Sequence, residues 1–202
     1  LAFALVPMSC SDGFLDQVNT NTVSTGNFWA DADDVQLAVN GMYHPITNTF
    51  FWGRIIHTGA MLRSDIFNVR PFGPNTAMST FQGEAGAARW STEIWQEPFK
   101  TVFRANSVLE NTSQTNVPDA ATRGGLIGQA QFMRGMALFY QLVNYGNIPL
   151  ITKVAESNEE FFPSQATPAE VWAQIEADFA AAAGNLPASW EGVNVGRPTS
   201  GS

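Results

Sequence analysis

Residues 120–150 read AATRGGLIGQAQFMRGMALFYQLVNYGNIPL, and the spacing of apolar residues in this stretch decides the fold class. Leu126, Ala130, Met133, Ala137 and Tyr140 share one side of a helix, with Ile127, Arg134, Leu138 and Leu142 beside them. Phe132, Met136, Phe139 and Val143 fill a further side. A helix apolar on several sides is one sandwiched between neighbours. Gly146 is placed to close it and Pro149 prevents its resumption. A central helix from Ala120 to Tyr145 is therefore expected.

Towards the C-terminus, Thr167, Pro168 and Glu170 form a capping box with proline at the first helical position. Val171, Ile175, Phe179, Ala182 and Leu186 then make a core stripe, which Gly184, Asn185 and Pro187 stop. Thr199 and Ser200 look like the opening of a further helix. Towards the N-terminus, Ile94, Trp95, Phe99, Val102, Phe103, Asn106 and Leu109 predict a helix from Ser91, with Pro98 in its first turn or at a kink. An earlier helix is expected from Asp31, an N-cap, through Val35, Ala38, Val39, Met42 and Ile46, with Pro45 marking its end. Between these helices the pattern weakens. A short helix over Gly59 to Phe67 and then a loop with Pro71, Gly73, Pro74, Gly83 and Gly86 are expected. Only Ile148 to Val154 has strand character. Helix starts near 91 and 121, and near 168 and 199, repeat at about 30 residues, the spacing of tetratricopeptide-type hairpins, although that consensus is not met. The expected fold is all-α, a tetratricopeptide-like helical-repeat array (an α-α superhelix) with long irregular loops.

Composition narrows the function. A net charge of −8 repels nucleic acid and anionic membranes. One cysteine excludes a disulfide framework within the chain and a cysteine-rich zinc site. His44 and His57 lack metal-site spacing, and no nucleophile elbow, Walker loop or dinucleotide fingerprint occurs. Asp33/Asp34 and Glu159/Glu160 are adjacent acids, whereas glycosidase chemistry needs carboxyls held across a cleft. Asp33 and Asp34 more simply occupy a first helical turn, where the macrodipole favours them. No enzyme, cofactor or metal is expected.

The chain opens LAFALVPMSCSD, an apolar run that stops at its lone cysteine. Only nine residues precede Cys10, too few for the roughly 20 that span a bilayer. The run reads either as a buried strand with a buried thiol or as the tail of a secretory signal ending at a lipoprotein-type processing site. It has no charged start, as in a segment whose first residues are lost. The following SDGFLDQVNTNTVSTGNFW has no sustained period and is expected to be extended chain.

Four stretches, FWADADDVQLAVNGMY, RANSVLENT, QFMRGMALFYQLVNYGNIPLIT and ATPAEVWAQIEADFAAAAGNLP, together resemble the N-terminal half of the SusD/RagB outer-membrane lipoproteins. The most specific piece, Arg134 to Leu150, ends in that family's Tyr-Gly-Asp/Asn-x-Pro-Leu element, and GRPTSGS at 196–202 resembles the point where its next helix opens. The resemblance implies that residues 1–9 end a truncated lipoprotein signal peptide and that Cys10 is lipidated. It implies an extended segment over 10–30, and over 31–202 an N-terminal SusD-like helical domain cut short at its C-terminal end. It further implies a surface-exposed, lipid-anchored outer-membrane protein, partnered by a TonB-dependent (SusC-like) transporter. Such a protein captures glycans, or in some cases peptides, and breaks no bonds. The alternative is a helical-repeat scaffold that binds only protein partners or peptides.

Glycan capture needs a flat aromatic ring flanked by groups that bond hydroxyls. The segment from Leu62 to Trp90 holds such an inventory, and the family's ligand contacts come partly from this region. Trp90 is the expected platform, Arg63 and Asp65 its polar partners, and Asn68, Arg70 and Phe72 further contacts. The competing reading is a solvated loop with an aromatic or two tucked into the core. Trp95, Phe139 and Trp172 are expected in the core, while Trp52 and Trp190 fit either role. The helix from Val171 is expected to keep exposed apolar surface, since helix arrays bury each face against the next repeat.

Overall fold

A computed structural model describes residues 28–49, 51–68, 73–80 and 85–202, with side chains described except at 55, 73–75 and 85–90. Cys10, the signal and extended segments up to 27, Arg70 and Phe72 lie outside the described residues. The elements are α1 (Ala32–Thr47), α2 (Ile55–Leu62), α3 (Gly73–Ser79), α4 (Ala85–Asn111), α5 (Ala120–Tyr145) and α6 (Pro168–Asn185), then a 3-10 turn at Gly192–Asn194. The all-α expectation holds. In place of the strand over 148–154 there is one isolated bridge, between Pro149 and Gln165.

Capping chemistry sets the clearest boundaries. Asp31 accepts hydrogen bonds from the amides of Asp33 (3.0 Å) and Asp34 (3.1 Å), satisfying two donors of the first turn of α1. The Asp119 carboxylate does the same for Thr122 (2.7 Å) at α5, and Thr167 and Glu170 cap α6 reciprocally. Gly146 closes α5 with φ 74°, a conformation that costs glycine no Cβ clash.

Three boundaries differ from the expectation. α1 continues through Pro45 to Thr47. Proline has no N–H for the carbonyl of Gly41, and the Arg104 guanidinium of α4 donates to that oxygen instead, at 2.6 Å. α2 lies earlier than expected, and Gly73–Pro74, read as loop, opens the short helix α3, because proline is well placed at a first turn. α4 starts at Ala85 rather than Ser91: the alanines at 85, 87 and 88 outweigh the glycine between them. Pro98 consequently sits mid-helix.

α5 is the hub, packed against α1, α4 and α6. Two clusters are buried along it. Val35, Val39 and Met42 of α1 meet Ala105, Val108, Ala130 and Met133 in one. Val102, Ala137, Leu138, Ile148, Val171 and Ile175 form the other. Glycines let α6 approach: a Cβ on Gly128 would lie 2.9 Å from Leu186, and one on Gly135 would lie 3.2 Å from Asp178. At that second crossing sits a buried ion pair absent from the sequence-based expectations. Arg134 binds Asp178 through Nε (2.8 Å) and Nη2 (2.6 Å) and donates from Nη1 to Asn106 (2.9 Å) and to the carbonyl of Thr152 (3.2 Å). The residue read as one of an apolar stripe thus joins α4, α5, α6 and the 148–154 segment.

Trp95 and Phe139 pack against the second cluster as expected, but Trp172 is 42% exposed. It meets Phe139 only at a ring edge, with centroids 5.7 Å apart. One turn of α6 presents Val171 and Ile175 to the core, which leaves position 172 facing outward. The expected apolar exposure on α6 is this tryptophan.

Candidate ligand-binding site

The helix ends bring two of the sequence-selected regions together. A groove of about 400 Å³ runs between α2, α3, the early turns of α4 and the last turn of α5. Arg63, the residue after α2, lines it opposite Tyr140, Asn144 and Tyr145, with Ser91 and Met78 on its walls. That volume falls within the range of about 300–1,000 Å³ typical of small-ligand sites.

Its aromatic side is fixed by packing. The Tyr140 ring meets Trp52 (5.2 Å), Phe139 (5.5 Å) and Phe51 (5.6 Å) edge-on, so the phenol is anchored to the core at its back. Tyr145 donates from its hydroxyl to the carbonyl of Ser91 at 2.6 Å and packs on Trp95, while Asn144 donates to the carbonyl of Tyr140 at 2.7 Å. Burial pushes the Tyr145 phenol up to about 12 and raises Tyr140 as well. Both stay protonated at neutral pH. Among the described residues the groove is thus lined by two neutral phenols, an amide and one guanidinium.

The selected residues divide. Arg63 is in the groove; Asp65 and Asn68 are exposed beyond α2 and do not line it. Trp90 lies in the second turn of α4, one residue before Ser91, which is helix interior rather than the helix start expected there. Trp52 joins the core cluster as a partly buried ring. The sequence reading missed Tyr140, Asn144 and Tyr145. The signal was the polar tail of the motif FYQLVNYGN, where an otherwise apolar helix ends in Tyr140, Asn144 and Tyr145.

A second, larger groove of about 670 Å³ has a different character. Trp95, Phe99 and Phe103 form one wall from successive turns of α4, and Phe161, Phe162 and Pro163 form the other. Phe162 is 86% exposed.

The comparisons with known proteins agree with this architecture. Residues 65–201 match a SusD-like family described as "Starch-binding associating with outer membrane". A SusD-like protein P2 of Formosa agariphila is 25% identical over 196 residues, which are 93% of this chain and 37% of that protein. The chain thus spans little more than a third of that relative's length. Among solved structures, a SusD superfamily protein from Bacteroides vulgatus superposes with a TM-score of 0.73 at 21% identity, over 86% of this chain and 38% of that one. A laminarin binding SusD-like protein does so with a TM-score of 0.69 at 23% identity, over 85% and 38%. At such identities the superpositions establish a shared helical fold, and the match over most of the sequence adds the kinship: the chain belongs to the SusD-like family.

Proposed function

We propose that this chain is the N-terminal part of a surface-exposed outer-membrane lipoprotein that captures a glycan and delivers it to a TonB-dependent, SusC-like transporter. Cys10 carries the lipid anchor, and residues 31–202 form a helical domain completed by further sequence. The observation that carries the reading is the groove at the end of α5, where neutral Tyr140 and Tyr145, Asn144 and Arg63 converge. Phenol, amide and guanidinium groups bond sugar hydroxyls, and the rings cover the sugar's apolar face. Trp90, Asp65, Asn68, Arg70 and Phe72, from the sequence between Leu62 and Ser91, remain proposed as further ligand contacts of the full-length protein. No cofactor takes part and no bond is broken.

Affinity electrophoresis of the full-length protein against a polysaccharide panel tests this, with Arg63→Ala alongside. Retardation by at least one glycan, weakened in the variant, is expected. Uniform lack of retardation favours a second reading, a scaffold that binds proteins or peptides, for which the aromatic groove between α4 and Phe162 argues. The anchor is tested separately: Cys10→Ala releases the protein from washed membranes if Cys10 is acylated.

A further inference from the structure

Trp190, which the sequence leaves open between core and ligand platform, stands at the far end of α5 from the groove. It lines a cleft of about 450 Å³ between the first turn of α5, the end of α6 and the 187–194 loop. We propose that this cleft is a second ligand site, taking one neutral saccharide unit against the Trp190 indole.

The ring is held ready. Its Nε1 donates to the carbonyl of Pro198 at 2.7 Å, and its far edge abuts Gly125, where an added Cβ would lie 3.0 Å from the ring. The loop that carries it is tied down by Arg197. That guanidinium donates to Gln129 (2.8 Å) and Asn40 (2.7 Å) and lies over the Tyr43 ring, 5.7 Å from its centroid. The amide of Ser200 also donates to the carbonyl of Pro187 (3.0 Å), drawing the two ends of the loop together. A half-buried indole fixed in this way loses little freedom when a ligand covers it.

The polar groups around it are of two kinds. Gln129 is spent: it accepts from Tyr43 and Arg197 and donates to the carbonyl of Gly125. Ser189, Glu191 and Asn194 make no side-chain hydrogen bond among the described residues, so their hydroxyl, carboxylate and amide remain for a ligand. Glu191 is the only charged residue lining the cleft among the described residues, which disfavours anions. The amides and hydroxyls need both donors and acceptors from a partner. An ammonium group supplies donors alone, whereas a sugar supplies both.

From Thr122 to Tyr140, α5 rises roughly 27 Å. The two sites are therefore separate, and a polysaccharide touching both gains avidity over one touching either. The proposal shares its ligand class with the glycan reading above and uses different residues. Its test is isothermal titration of the full-length protein with starch, laminarin and the rest of the panel, comparing Ser189→Ala/Asn194→Ala with Arg63→Ala. Both cleft side chains lie on the loop without structural hydrogen bonds, so the melting temperature should stay as in the parent. The expected result is an affinity loss of threefold or more, or a lower stoichiometry, in the cleft variant. Parent-like binding by the cleft variant, with Arg63→Ala weakened, overturns the second site and leaves the glycan reading intact. Absence of binding by the parent to every polysaccharide overturns both.

Discussion

The α4–α6 frame and the segment carrying α2 and α3 are both rich in apolar residues, yet they are held in different ways. In the frame, helices of 27, 26 and 18 residues bury their faces on one another, and the polar groups that enter are spent internally, as Arg134 is on Asp178, Asn106 and Thr152. α2 and α3 have 8 and 7 residues, short of the roughly 12–15 at which even good helix formers begin to stand alone. α2 has no side-chain N-cap, and Ile66 and Phe67 beyond it face outward. The difference teaches where variation is tolerated. Ligand contacts placed on the second kind of segment can change without disturbing the first.

The contrast breaks most visibly at Arg134. Arg134→Ala leaves Asp178 buried without its guanidinium, an expected loss of about 3–5 kcal/mol in thermal melts of the full-length protein. Arg134→Met/Asp178→Leu should recover most of it, since a well-packed apolar pair can replace a buried ion pair. A small loss in the single variant would show that the frame does not depend on this pair.

Gly128→Val comes next. Its branched side chain would meet Leu186 and Asn185 where α6 lies closest to α5, at an expected cost of about 2 kcal/mol. Chemical denaturation of the variant measures this, and parent-like stability would mean that the helices can separate freely.

Where α4 opens next to the α2–α3 segment, Trp90→Ala should lower glycan affinity about tenfold, roughly 1.4 kcal/mol, with little change in melting temperature. A stability loss of about 3–5 kcal/mol with unaltered binding would instead make Trp90 a core residue. Titration and a melt on this one variant decide.

The smallest effect sharpens the frame at its edge. Thr167→Ala removes the hydroxyl that caps the Glu170 amide, at about 1 kcal/mol. The hydrogen bonds from Thr167 hold the Glu170 carboxyl below its ordinary 4.5. Its contribution is therefore present above the ordinary carboxylate range and is lost as pH falls through the lowered value. Melts across an acid series should show a shallower decline for Thr167→Ala than for the parent.

What the sequence disclosed follows the same division. Asp31, Thr167 and Gly146 declare helix ends through local chemistry, and the periodicity of 120–145 declares a helix enclosed by others. Pro45 misled because the group that compensates for it, Arg104, comes from another helix. Arg134 was hidden for a similar reason: a charge in an apolar stripe is explained only by its opposite on a second stripe, here Asp178. The groove was half legible. Arg63 was found through the inventory of its segment, whereas Tyr140 and Tyr145 were absorbed into a helix already explained as core.

The Arg197 clasp has a consequence for the order of folding. Its bond to Asn40 joins positions 157 residues apart, and its two acceptors, Asn40 and Gln129, lie on different helices. Contacts so distant along the chain must close a long loop before they return any energy, so they form after local helices and hairpins. During synthesis α1 emerges early and waits, and the clasp can snap shut only once α1 and α5 lie side by side. Arg197 thereby acts as a late latch, engaging only a chain whose earlier helices have already found their places.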